Sequence, residues 1–142
     1  MPHLSILAAR FYEDIADELV RGATAYLDGK GASYDILAVP GAFEIPAAVR
    51  LCIESGRYGG YVALGCVIRG ETTHYDYVCS ESARGLNMLA LKHKAAIGYG
   101  ILTVENPEQA WVRAAVSQGN KGAIAAEAAL RMMEIKAELG LK

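Results

Sequence analysis

The chain is predicted to adopt an α/β fold, a parallel sheet with helices on both faces, and three observations lead there. Four short β-rich runs, Leu4–Ala9, Tyr34–Val39, Gly60–Ile68 and Ala95–Thr103, alternate with longer stretches in which apolar residues recur at helical spacing. Glycine and proline fall where such helices should stop and start. The 142 residues, 53% hydrophobic and 21% charged, suit a single domain over residues 1–142 with a sizeable core.

Each element has its own local reason. The first helix follows Tyr12, buries Ile15, Leu19, Ala23 and Tyr26, and ends near Gly29-Lys30-Gly31. A second begins after Pro40-Gly41 and runs through Ile45, Ala48, Val49 and Cys52 to Gly56, with Pro46 tolerated in its first turn. The third spans Thr73 to about Lys94 and carries Tyr75, Val78, Cys79, Ser82, Leu86, Leu89 and Ala90 on one side, weakened locally at Arg84-Gly85. Asn106-Pro107 opens a short helix through Trp111 and Arg113. Gly119-Asn120-Lys121-Gly122 then separates it from a last helix reaching Leu139. That helix is apolar over most of its circumference, from Ala123 and Ile124 to Met132 and Met133, and so asks for cover on more than one side. A second subunit is the simplest cover, which predicts a homo-oligomer.

Composition narrows the function classes. The net charge is −2 and the 14 Lys and Arg residues are scattered, so no basic stripe exists to hold nucleic acid or an anionic membrane. The first apolar run is too short for a signal peptide or membrane span. Cys52, Cys66 and Cys79 are odd in number, lack C-x-x-C spacing and lie in apolar segments, as expected of thiols in a reducing cytoplasm. His3, His74 and His93 have no paired ligand spacing, which gives a metal no support. No G-x-G-x-x-G follows the first strand, so a dinucleotide cofactor is not indicated either.

The chemistry concentrates in Ala63–Tyr75, where an apolar strand runs through a glycine turn into a helix start that bears a histidine. Thr73 followed three positions later by Asp76 is a capping-box pattern, placing His74 in the first helical turn. Unpaired N–H groups and the positive dipole end favour a phosphate or oxyanion there. The dipole biases the imidazole toward its neutral form while a bound phosphate opposes that, so His74 is suited to proton exchange near neutral pH. Gly65, Gly70, Glu71 and Thr72 match a nucleotide-binding phosphate loop except for the lysine, which is glutamate here. The apolar residues between the glycines also disfavour that loop.

Ligands of open α/β sheets bind beyond the carboxyl ends of the strands, and the chain's uncommon residues gather at all four ends. Phe11 can stack on a planar heterocycle, and Glu44 can accept hydrogen bonds from sugar-like hydroxyls. Gly65, Gly98 and Gly100 allow close approach of another backbone or a flat ligand. Cys66, in an apolar strand, reads as an inert thiol rather than a nucleophile.

Pro40–Pro46, Ala63–His74, Gly100–Asn106 and Gly119–Gly122 together resemble the lumazine synthase family, four motifs in the right order over nearly the whole chain. The resemblance implies a flavodoxin-like three-layer sandwich with a four-stranded parallel sheet, assembled as pentamers with sites between subunits and, in some members, as an icosahedral 60-subunit shell. It implies condensation of 5-amino-6-(D-ribitylamino)uracil with 3,4-dihydroxy-2-butanone 4-phosphate to 6,7-dimethyl-8-ribityllumazine, phosphate and water, with no metal or redox cofactor. By matching position, Phe11 would stack on the pyrimidine. Ala42, Phe43 and Glu44 would line the ribityl and ring pocket with Cys66, Val67 and Ile68. Glu71 and Thr72 would hold the phosphate through backbone N–H groups, and His74 would shuttle protons. Arg113 would reach the phosphate from the adjacent subunit. Tyr99 matches an aromatic position beside the pyrimidine, usually phenylalanine, and Lys121 the lysine of the Gly-Asn-Lys-Gly turn.

The sequence departs from the family pattern at Tyr12, where many members have asparagine, and at Ser117, where lysine is common. Two rival functions share the fold: a non-catalytic lumazine or flavin binder, and an archaeal-type riboflavin synthase. The presence of Phe11, Glu44, His74 and Arg113 opposes the first, and the phosphate-handling segment Gly70–His74 the second.

Overall fold

The computed structural model describes residues 2–142. Its strands are β1 (His3–Ala9), β2 (Ser33–Val39), β3 (Gly60–Ile68) and β4 (Ile97–Val104). The helices are α1 (Glu13–Gly29), α2 (Ile45–Ser55), α3 (His74–His93), α4 (Pro107–Ala114) and α5 (Lys121–Glu138), with a short 3-10 turn at Ala42–Glu44. The strands form one sheet in the order β2-β1-β3-β4, all neighbours parallel, giving the α/β three-layer sandwich of flavodoxin-like folds.

Alternation along the strands divides the core in two. Leu4, Ile6, Val62, Leu64, Leu102 and Val104 pack against α1, α4 and α5 on one face, and Leu7, Ala9, Tyr61, Ala63 and Ile101 against α2 and α3 on the other. Helix α1 buries Ile15, Leu19 and Ala23 as its spacing requires, and α3 buries Val78, Ser82 and Leu86 from its expected apolar side. Gly85 serves that packing: a Cβ there would lie 2.8 Å from Pro46 Cβ, so the glycine lets α3 press on the start of α2. The fourth strand starts at Ile97, later than its composition suggests. Ala95 instead donates its N–H to the Ala90 carbonyl at 3.3 Å and closes α3, behind Lys94 in the left-handed region at φ 53°.

The glycines of the last strand admit a backbone rather than a ligand. A Cβ on Gly98 would overlap the Ala125 carbonyl of α5, and one on Gly100 would meet Ala125 Cβ at 2.9 Å. Helix α5 thus rides directly on β4 through Ala125, Ala126 and Ala129, all buried, while Ile124 and Met132 on its other side remain exposed. Gly65 is likewise filled, with Ala9 Cβ at 3.0 Å. Among the described residues no helix is long and apolar enough to cross a membrane.

Candidate active site

The chain turns outward from β1 to β2 on one side and from β1 to β3 on the other, so the carboxyl ends of β1 and β3 flank the point where strand order reverses. That is where an open α/β sheet leaves a crevice. A cavity of about 610 Å3 occupies it.

Each strand end contributes a wall. Beyond β1, Arg10 donates its backbone N–H to the Val39 carbonyl at 2.9 Å, pinning the segment that presents Phe11 and Tyr12. Phe11 is 73% exposed, and its ring meets Tyr12 edge-on, the centroids 4.9 Å apart at 79°. One aromatic is therefore held by its neighbour with a face left open. Beyond β2, the 3-10 turn offers Ala42, Phe43 and Glu44 to the cavity, with Phe43 exposed rather than anchored in the core. The end of β3 supplies Cys66, Val67 and Ile68, and the following turn and first helical turns supply Gly70, Thr72, His74, Tyr75 and Val78.

The start of α3 differs from the capping box its sequence suggests. Thr73 has helical backbone angles and makes no side-chain cap, and Thr72 Oγ1 accepts the His74 N–H at 3.3 Å instead. Asp76 turns away from the helix start because the Arg69 guanidinium, 3.4 Å distant, offers a better partner than a backbone amide. His74 is exposed at the cavity mouth.

Burial dominates the electrostatics of the inner wall. It pushes the Cys66 thiol up to about 12, with Cys79 adding to the effect, and raises the Tyr12 phenol, with Cys66 contributing. Cys66 is therefore a protonated wall residue at neutral pH, as its apolar strand suggests. Iodoacetamide at pH 8 should leave it unmodified in the native protein and alkylate it after denaturation. Peptide mass mapping showing rapid native labelling at Cys66 would contradict this. Arg69 is raised chiefly by its hydrogen bond to Glu105.

Of the residues singled out from sequence, the cavity joins Phe11, Ala42, Phe43, Glu44, Cys66, Val67, Ile68, Thr72 and His74. Glu71 is exposed between the lining residues Gly70 and Thr72. Three others lie apart within one chain. Tyr99, half-exposed on the edge strand β4, lines a separate cavity of about 260 Å3 with Leu86, Asn87 and Ala90. Arg113 closes α4, its Nη1 donating to the Gln109 carbonyl at 3.1 Å, and Lys121 opens α5. Three strand ends, not four, therefore form the mouth. Beyond the fourth, Glu105 stays outside the cavity lining and is bound by Arg69, the residue that follows β3. Tyr12, which departs from the family pattern, also lines the cavity, and sequence reading gave no lining role to Tyr75 and Val78. The i, i+4 step from His74 to Val78 was the available signal for the last of these.

Residues 2–137 match the family model described as 6,7-dimethyl-8-ribityllumazine synthase. The chain is 54% identical to the 6,7-dimethyl-8-ribityllumazine synthase 1 of Rhizobium meliloti (strain 1021), over 97% of this chain and 94% of the relative. It is 53% identical to the 6,7-dimethyl-8-ribityllumazine synthase of Agrobacterium fabrum, over 98% and 97% respectively, and 54% identical to that of Bartonella bacilliformis, over 98% and 93%.

Proposed function

The chain belongs to the 6,7-dimethyl-8-ribityllumazine synthase family, and from that premise we propose how its residues divide the work of the reaction. The protein is a transferase of riboflavin biosynthesis that condenses 5-amino-6-(D-ribitylamino)uracil with 3,4-dihydroxy-2-butanone 4-phosphate, giving 6,7-dimethyl-8-ribityllumazine, phosphate and water. The carrying observation is the cavity itself, which joins an open aromatic face, a carboxylate and an exposed imidazole beside a glycine turn.

In this reading Phe11 stacks on the pyrimidine, and Glu44 accepts hydrogen bonds from the ribityl chain between walls made by Ala42, Phe43 and Cys66–Ile68. The backbone N–H groups around Glu71 and Thr72 take the phosphate at the positive end of α3. The ring amine attacks the ketone and a first water leaves as the imine forms, phosphate is then eliminated, and tautomerisation, ring closure by the ribitylamino nitrogen and loss of a second water follow. His74 carries protons between these steps.

Arg113, Tyr99 and Lys121 complete the site from a neighbouring subunit, Arg113 by forked contact with the phosphate. Their absence from the cavity lining within one chain supports this assignment, as does the exposure of Trp111, Val112, Ile124 and Met132 on α4 and α5. The assembly is a homopentamer, the unit from which some family members build a 60-subunit shell, and it works in the cytoplasm. Mixing the protein with both substrates should generate the lumazine chromophore, and mass photometry should give five chains per particle. Absence of the product's absorbance, or an active monomer, would refute the corresponding half of the reading.

A further inference from the structure

The turn before α3 lacks a capping box, its one side-chain contact to the helix start being Thr72 Oγ1 on the His74 N–H at 3.3 Å, yet it is not loose. Asp76, which a capping box would fold back on the start, is 3.4 Å from Arg69 Nη1. The same guanidinium donates from Nε to both Glu105 oxygens, at 2.9 and 3.1 Å, and its central carbon lies 4.3 Å from the Tyr75 ring centroid. The Arg69 backbone N–H also donates to the Val104 carbonyl at 3.0 Å, carrying the β3–β4 ladder one residue past the strand. One side chain thus grips the second and third residues of α3 and the residue after β4. Each exposed pair alone contributes little, but three contacts sharing one planar group fix its orientation.

We infer that Arg69 is a positioning residue for the condensation: it clamps the first turn of α3 to the end of β4, so that the N–H groups of the 70–73 turn and the His74 imidazole keep one spacing. This rests on the reading of that turn as the phosphate cradle. A capping box would turn the Asp76 carboxylate onto the Thr73 N–H, whereas here the His74 and Asp76 N–H groups go to Thr72 Oγ1 and the Thr73 carbonyl, and the clamp from outside leaves the N–H groups of Gly70 to Thr73 for the substrate's anion. The guanidinium also offsets the negative charge that Asp76 and Glu105 would otherwise present near that anion.

Steady-state kinetics with both substrates, and inorganic phosphate as a competing probe, test the inference. In the wild type, phosphate should compete with the butanone phosphate and His74→Ala should lower kcat. If neither holds, the cradle reading itself fails. Given both, Arg69→Gln and Arg69→Lys should each raise the KM for the phosphate substrate and the Ki for phosphate about tenfold and lower kcat, as misplaced groups do. The KM for the pyrimidine should stay unchanged, which a general loss of structure would not allow. Lysine does not rescue, because a point charge cannot fork onto Glu105 while lying on Tyr75. Glu105→Gln should reproduce the defect, and Arg69→Gln added to it should do little more, since both lose one shared contact. Fully additive losses would make Arg69 a direct phosphate ligand and overturn the inference, as would wild-type constants in Arg69→Lys. Melting temperature and particle mass are measured for every variant. If Arg69→Lys unfolds, Glu105→Gln alone carries the test, and wild-type constants there overturn the clamp.

Discussion

Gly98→Val should leave almost no soluble, folded protein. The position sits in β4 where the Ala125 carbonyl of α5 already occupies the space of a Cβ, and backbone cannot move aside as a flexible side chain can. Shifting α5 would unseat Ala125, Ala126 and Ala129 together, all of them buried. Overpacking against backbone belongs with changes that cost about 4–5 kcal/mol or more, a large part of the roughly 5–15 kcal/mol that holds a domain folded. Gly29→Ala is the matched control, because nothing lies within 4 Å of the added methyl and its φ is not positive. It should be neutral or slightly stabilising. Circular dichroism with urea titration compares the two. A wild-type midpoint for Gly98→Val would mean that α5 is not seated on β4 as described.

His74→Ala should lower kcat on the order of 10²-fold while leaving measurable turnover. Proton transfer by a placed side chain contributes about 10²–10⁴-fold in enzymes generally, and His74 lines the cavity beside the Gly70–Thr73 turn. The remainder comes from juxtaposing two substrates, whose effective molarity can offset about 7–11 kcal/mol of barrier without any imidazole. The exposed histidine bears no part of the core, so melting temperature should not change. Rate loss below detection with the fold intact would mean that proton transfer, not proximity, dominates. An unaltered kcat would remove His74 from the mechanism.

The layered fold was legible because alternating strands and helices leave local signals: Gly29 and Gly31 at the end of α1, Pro46 in the first turn of α2, Asn106 accepting from the Gln109 N–H at 2.9 Å to start α4. Most of the cavity was legible too, since residues following strands in a parallel sheet gather at one edge. Contacts between elements left no local trace. The Thr73–Asp76 pattern suggested a cap, but the carboxylate found a guanidinium seven residues back, a pairing that depends on the path of the turn. Glu105 joins that network only because β4 lies beside β3. The glycines of β4 signalled close approach without saying of what, and the answer was a helix from the other end of the chain.

His74 begins a helix on one side of the sheet, while Arg113 and Lys121 belong to the helical layer on the opposite side. A polypeptide arranged this way can be perfectly folded and still chemically incomplete. Where neighbours supply the missing groups, weakening the association and weakening the chemistry become one lesion. Dilution that parts the subunits would then silence turnover while leaving the spectroscopic signature of each protomer untouched.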